Sequence, residues 1–387
     1  MSPEIAPSLD ILERLIAFDT TSRNSNLALI EWVEAYLAKR GVSSFRVANA
    51  DGDKTNLYAV IGPYVEGGVV LSGHTDVVPV DGQPWTSDPW VLTQRGSKLY
   101  GRGVADMKSF SAIALAHLDE MLAAPLKRPI ILALSYDEEV GCLGAPAMIE
   151  KLRAGAVPAP SAVIVGEPTD MKVVSGHKGV RGFIIEVEGR EAHSSQTDQG
   201  VSAVMEALKL MNLVVEMGAE ARAAGDADGH FSPPGASMTI GRVQGGTAMN
   251  ILARCCEFVW DLRWPPGVDA DAYEARFREA ASKLDAEIKA RAPEGGVKIT
   301  RRSNNPPLEP VLDSAAEMLC RALTGDNGVH AASYAAEAGL FQRAGMPTVL
   351  CGPGSILQAH QPDEWIEIAQ IEEGAAFMRK LIAQLSV

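Results

Sequence analysis

Residues 67–79 read GGVVLSGHTDVVP, an apolar run from Val69 to Leu71 that ends on His74 and Asp76. The arrangement recurs twice. RPIILALSYDEEVG (128–141) carries Ile130 to Leu134 into Glu138 and Glu139, and SAVIVGEPTD (161–170) carries Ala162 to Val165 into Glu167. Short apolar runs without alternation mark strands buried on both faces, as in a parallel sheet. Acids or a His directly after each run put ligand-grade side chains at the carboxyl edge, where open α/β sheets bind ligands.

Taken singly, each of these residues has a bland reading as a surface or hydrogen-bonded group. Together with Asp106 and His360 they make a metal set by count. Two divalent ions need roughly four protein ligands each and sit about 3.5 to 4 Å apart in hydrolytic centres, so one carboxylate must bridge. Asp106 fits the bridge. One ion then takes His74, Asp106 and Glu167, the other Asp106, Glu139 and His360, and each keeps an open position. Glu138 is left unligated beside the ions, where a carboxylate can take a proton from water and hand it to a leaving amine. Asp76, two residues after His74 on an extended segment, points to the same side and can accept a hydrogen bond from the ring nitrogen that the metal leaves free.

The segments GHTDVVP, GRGVADMKS (101–109), DEEVG, GEPT, GREAHSS (189–195) and CGPGSILQAHQPDEWI (351–366) resemble, in order and approximate spacing, the M20 family of metallopeptidases and deacylases. The resemblance runs from the first helix to the last and is closest to the acetylornithine deacetylase branch. It implies two divalent ions per subunit, zinc with cobalt able to substitute, on the same five ligands. It also implies Glu138 as base and acid, Asp76 orienting His74, and a cis peptide from Asp106 to Met107. Further implications are an inserted lid and dimerisation domain, a homodimer, and His193 reaching into a neighbouring subunit's site to stabilise an oxyanion. Asn250, after GGTAM, matches a residue that seats substrate. Arg263 matches one that holds a substrate carboxylate, a role its planar guanidinium suits; the alternative is a local pair with Asp261. The Val-Pro that the family usually carries near ILAR is missing here, which bears on the pocket wall. The implied reaction is deacylation of an N-acyl amino acid, N-acetyl-L-ornithine first, with succinyl-diaminopimelate or a broader range of N-acyl amino acids as alternatives.

Composition narrows the classes. With 387 residues the chain exceeds what one core usually serves, so two domains are expected. Lys plus Arg is 35 against 49 Asp plus Glu, and a net charge of -14 argues against a nucleic-acid partner. Five cysteines without a CxxC spacing read as reduced, mostly buried thiols in a cytoplasmic protein. The amino terminus lacks a basic region followed by an apolar one, and there is no run of 18 apolar residues, so neither a signal peptide nor a membrane span is expected.

Pattern along the chain predicts helices at 8–18, 25–39, 108–121, 311–323 and 368–385, with a strand in MPTVLCGPG. Residues 179–294 change character. An alternating strand, a helix at 202–220, two strands and a charged helix at 271–290 make an α+β pattern. Because Glu167 precedes this segment and His360 follows it, one metal site requires both flanks in a single domain. The fold expected is therefore α/β, a mixed-sheet catalytic domain of 1–178 and 295–387 with an inserted α+β domain of 179–294. The edge of the strand Phe183 to Glu188, or the helix face bearing Val204, Leu208, Met211 and Val215, offers a dimer contact. His117 reads as packed in its helix, His177 as a hinge residue, and His230 and His330 as loop residues. The loop 218–234 is long enough to be functional. Glu337 and Gly339, in YAAEAGLF, resemble a segment of the same family near the substrate pocket; the alternative for Glu337 is a helix-terminal surface acid. Gly101 and Gly103 either let the backbone pass close to the site or make an ordinary turn.

Overall fold

The three apolar runs form the centre of an eight-stranded sheet in the computed structural model, which describes residues 4–225 and 229–387. Gly68–His74 pairs in parallel with Ile130–Ser135 on one side and Pro160–Val165 on the other, and Thr348–Leu350 pairs in parallel with Pro160–Val165. Antiparallel strands flank this core: Thr55–Ile61 and then Ser44–Ala48 beyond Ile130–Ser135, and Val174–His177 beside Thr348–Leu350. Every residue of Gly68–His74 and Ile130–Ser135 is buried, as runs without alternation require. The helices Ala6–Ile16, Leu27–Ala38, Lys108–Ala116 and Ile368–Leu385 share one apolar core with these strands. Each fully buried Val, Leu or Ile contributes about 1.5 to 3 kcal/mol relative to exposure, which is why the strands accept helical cover. A ribbon of Thr93–Arg95, Lys98–Tyr100 and Trp365–Glu367 joins the segment before Asp106 to the segment after His360.

The described residues divide into two units, one running to Gly176 with Leu308–Ala331 and Ala336–Val387, the other His177–Pro307 with Ala332–Ala335. The second unit is a four-stranded antiparallel sheet in the order Ser237–Gly245, Cys255–Trp264, Gly179–Glu188, Gly296–Asn305, with the helices Ala203–Ala224 and Ala270–Arg291 packed on its buried face. Gly179–Glu188 alternates buried and half-buried along its length. Phe183 stacks on Trp260 with ring centroids 4.6 Å apart, and Phe277 of the second helix closes on the same indole.

Four expectations change. Gly296–Asn305 pairs with Gly179–Glu188 in the smaller sheet, so the first unit resumes at Leu308 rather than at 295. Gly179–Glu188 lies between two neighbours, so the segment Phe183 to Glu188 has no free edge, and the outer strands are Ser237–Gly245 and Gly296–Asn305. The helix expected over 108–121 breaks at His117, whose Nδ1 donates to the Ile113 carbonyl at 2.8 Å, and a second helix runs from Leu118 to Ala123. The helix after Ser202 continues to Ala224 and takes up the first part of the loop expected at 218–234, while 226–228 lie outside the described residues.

Candidate metal centre

Parallel strands end together, so the residues that follow them converge. His74 closes the strand Gly68–His74 at 2 % exposure. Its Nδ1 lies 2.8 Å from the Asp76 carbonyl oxygen. A carbonyl only accepts, so Nδ1 carries the proton and Nε2 is the atom offered to a ligand. That Nε2 lies 3.0 Å from Asp106 Oδ1 and 4.0 Å from Glu167 Oε1. The other oxygen of Asp106, Oδ2, is 3.4 Å from His360 Nε2, which is itself 3.0 Å from Glu139 Oε2. The Asp106 carboxylate therefore stands between two imidazoles, one to each oxygen. Ligand atoms of His74, Asp106 and Glu139 all lie within 4.8 Å of one another. The peptide from Asp106 to Met107 is cis.

Whether this donor set suits a cation can be tested on one atom. Glu167 Oε1 is buried and has no hydrogen-bond partner among the described residues. A buried polar atom left unsatisfied costs about 1 to 3 kcal/mol, and a carboxylate oxygen facing an imidazole and other carboxylates is relieved by positive charge. Two imidazoles and carboxylate oxygens are also the donors that zinc and related ions take. The residues fit a divalent cation.

The electrostatics agree. Burial pushes Glu167 well above the usual carboxylate range, reinforced by Asp106 and Glu138. Burial and the Asp106 charge push Glu139 up to about 7. Asp106 goes the other way: burial opposes its charge, but hydrogen bonds from His360 and His74 hold it below its ordinary value. Asp106 and Glu139 in turn push His360 up to about 10. The acids compete for a limited supply of positive charge.

Glu138, on the turn after Ile130–Ser135, is half-buried beside this cluster. Burial raises its carboxyl well above the ordinary value, and the Cys142 thiol donates to Oε1 at 3.1 Å. Asp76 departs from expectation. It meets His74 Nδ1 through its main-chain oxygen, and its carboxylate Oδ1 stands 3.7 Å from that nitrogen, beyond hydrogen-bond reach. The carboxylate turns instead to Ser22 Oγ at 2.7 Å and to the N–H groups of Glu138 and Glu139. Glu337 is no surface acid. It is 1 % exposed and accepts from Ser135 Oγ and from Ser72 Oγ, the latter at 3.2 Å.

Of the remaining expected residues, His193, Asn250, Arg263 and His230 belong to the second unit and His330 to the first. His193 is exposed, its Nδ1 2.8 Å from Ser195 Oγ, and it bridges Ile251 across an isolated pair. Asn250 is exposed and its carbonyl accepts from Ser194 N at 3.0 Å. Arg263 Nε donates to Asp261 Oδ2 at 2.9 Å, the local pairing weighed against a substrate role. His230 is exposed, and His330 Nε2 pairs with Asp326 Oδ2 at 3.1 Å. Cys255 is exposed; the other four cysteines are buried and all five are free. Gly103 does permit a close approach: its φ is +82°, and a Cβ there would stand 2.8 Å from Val77 Cγ1.

Sequence reasoning missed Glu364, Cys142 and Lys108 as parts of this region. Lys108 is 1 % exposed, and its ammonium donates to the carbonyls of Leu15 at 3.0 Å and Phe18 at 2.9 Å at the end of the first helix. Its position two residues past Asp106 was the available signal.

Comparison with known proteins follows the same lines. Residues 70–384 match the family described as Peptidase family M20/M25/M40. An acetylornithine deacetylase of Erwinia tasmaniensis is 33% identical over 99% of this chain and 96% of its own, and one of Pasteurella multocida is 31% identical over 98% of each. Among solved structures, an M20 family metallo-carboxypeptidase from Sulfolobus solfataricus superposes with a TM-score of 0.80 at 18% identity over 100% of both chains. Human carnosine dipeptidase 1 gives 0.74 at 17% identity over 98% of this chain and 96% of its own. At such identities the superpositions speak for the fold, a mixed-sheet α/β domain carrying an insertion. The sequence match spans the strands and loops that bring His74, Asp106, Glu139, Glu167 and His360 together, and the chain belongs to the M20/M25/M40 peptidase family of metal-dependent amide hydrolases.

Proposed function

We propose that this chain removes the acyl group from an N-acyl amino acid, N-acetyl-L-ornithine foremost, to give L-ornithine and acetate. The observation that carries the reading is the Asp106 carboxylate with one oxygen toward His74 and the other toward His360. His74, Asp106 and Glu167 would hold one divalent ion, and Asp106, Glu139 and His360 would hold a second, zinc in the first instance with cobalt able to replace it. Bound there, the ions supply polarisation of the acyl carbonyl and acidification of the attacking water. Glu138 accepts the proton of that water and delivers it to the departing nitrogen. Its environment suits the task, since burial raises its proton affinity well above that of an ordinary carboxylate. Asp76 holds the turn that carries Glu138 and Glu139 and fixes the His74 tautomer by its carbonyl.

His193, Asn250 and Arg263 act on the substrate. His193 Nδ1 is engaged by Ser195, which leaves Nε2 to donate to an oxyanion. Asn250 seats the substrate. Arg263 is held through Nε, which leaves its two terminal nitrogens for a carboxylate. The second unit serves as lid and as the interface of a homodimer, and His193 acts on the neighbouring subunit's substrate. In support, Met205, Leu208 and Val215 are exposed apolar residues on the helix Ala203–Ala224, next to the outer strand Ser237–Gly245. Among the described residues no helix is long and apolar enough to cross a membrane. The reading places the enzyme in the cytoplasm.

The preference for acetylornithine draws on the relatives that bear that name over nearly the whole chain. Steady-state kcat/KM for acetylornithine, succinyl-diaminopimelate and acetylmethionine, measured side by side with zinc or cobalt, ranks the substrates. A higher value for either of the others removes acetylornithine and leaves the hydrolase.

A further inference from the structure

We propose that Glu364 is a positioning residue that registers the two halves of the metal centre, fixing the backbone of Asp106 directly and that of His360 through Arg102 and Gln83. The inference rests on the reading of Asp106 and His360 as ligands in the proposed function. Glu364 is 1 % exposed, as is Arg102. Four donors from one loop converge on its carboxylate. Oε1 accepts from Ala105 N at 2.8 Å and Asp106 N at 3.1 Å, while Oε2 accepts from Arg102 Nη1 at 2.7 Å and Gly103 N at 3.1 Å. The main-chain carbonyl of Glu364 accepts from Gly101 N as well, at 3.1 Å. The turn from Gly101 to Asp106 is thus laid against one residue, through its carboxylate and its main-chain carbonyl.

The other branch runs through the guanidinium. Arg102 Nη2 donates to Gln83 Oε1 at 2.5 Å, and Trp85 Nε1 donates to the same oxygen at 3.0 Å. With its oxygen fixed, the Gln83 amide is oriented, and Nε2 donates to the His360 carbonyl at 3.0 Å. His360 needs such a hold. Its φ is +64°, in the left-handed region that a residue with a side chain enters only when its surroundings enforce it.

A stability role alone explains this arrangement poorly. Buried ion pairs often contribute little net stability, because desolvation offsets their attraction. Three main-chain N–H groups on one carboxylate, the last from Asp106 itself, fix a geometry. Ligands held by such outer partners typically lose about 10- to 100-fold in metal affinity when the partner is removed.

The test measures zinc affinity and stoichiometry by competition with a chromophoric chelator, on the full chain, for wild type, Glu364→Gln and Gln83→Leu. Metal-free melting temperatures are read in parallel. In E364Q the amide cannot accept from all four donors, and both ions are expected to bind about 10- to 100-fold more weakly. In Q83L only the His360 branch is cut, so one of two ions weakens and the other keeps its affinity. Excess zinc should restore kcat in both variants, which a collapsed fold would not allow. Lowered melting temperatures with wild-type affinity at both sites overturn the proposal. If E364Q fails to fold, Q83L decides: loss of one ion supports the relay, and two unchanged ions overturn it. Wild type binding fewer than two ions overturns the two-metal reading itself and this inference with it.

Discussion

The carboxylate of Asp76 accepts the backbone N–H of Glu138, Oδ1 to N at 3.0 Å, and its second oxygen takes the N–H of Glu139 at 3.2 Å. One side chain thus sets the turn on which the proposed base and a proposed metal ligand stand side by side. The far side of the turn is pinned too, by Lys54 Nζ on Asp137 Oδ1 at 2.6 Å. Asp137 and Cys142, which bracket it, have φ of +55° and +53°. Such conformations persist where surrounding contacts over-determine them. Asp76→Ala releases two N–H groups and is expected to lower kcat/KM about 10- to 100-fold, in line with other outer partners of metal ligands. Asp76→Asn keeps one acceptor and should fall between the two. Wild-type kcat/KM in D76A would refute the clamp.

Glu138 carries a separable prediction. Removing a general base typically costs about 10²- to 10⁴-fold, and Glu138 is no ligand in the assignment. Glu138→Ala should keep its metal content by elemental analysis while kcat falls by at least that lower bound. If E138A turned over near the wild-type rate, another group would be the base.

How much of this was legible depended on whether chemistry or pairing carried the signal. The three apolar runs announced a parallel core, and each ended on the residue the strand delivers: His74, Glu138 with Glu139, and Glu167. Glu364 was illegible, because an acid in a polar turn looks like any surface acid until four donors are seen around it. Asp76 was half legible. Alternation along a strand gives the side to which a residue points, not which of two acceptors lies nearer, and the carbonyl won at 2.8 Å against 3.7 Å for the carboxylate. The segment Phe183 to Glu188 failed as an edge for a related reason. A sheet with one buried face alternates identically in its inner and outer strands, so the pattern cannot rank them. The strand Gly296–Asn305, polar on its exposed face, hid its membership of the smaller sheet in the same way.

His177 yields a prediction in pH. It is fully buried, and burial pulls its imidazole down to about 4, with the Lys178 carbonyl on Nδ1 pulling the other way. In the unfolded chain the group titrates near 6.5. Between the two values the unfolded state binds the extra proton, so the stabilisation is present above pH 6.5 and is lost as pH falls toward 4. The shift is worth about 3 kcal/mol, from about 1.4 kcal/mol per unit. His177→Gln carries no titrating group. The difference in unfolding free energy between wild type and H177Q, measured in urea from pH 7.5 to 4, should shrink by that amount toward acid. A pH-independent difference would show that His177 titrates normally in the fold.

The assembly prediction concerns His193, which is exposed in the second unit with Nε2 free of the Ser195 contact made by Nδ1. If it stabilises an oxyanion, His193→Ala should cost about 2.7 to 4 kcal/mol in kcat, some 10²- to 10³-fold. If it does so across a two-fold interface, each site draws its base from one chain and its donor from the other. E138A lacks the base but supplies His193, and H193A lacks the donor but supplies Glu138. In a mixed dimer the site on the H193A chain then receives both groups, and the site on the E138A chain receives neither. Co-expression of two inactive variants should therefore restore one working site per mixed dimer. A donor acting within its own chain gives a different pattern, because each chain then keeps its own defect whatever its partner. Native mass spectrometry counts the mixed dimers, and turnover per mixed dimer separates the cases. Half of the wild-type dimer's rate supports donation across the interface, whereas no gain over the parent variants overturns it.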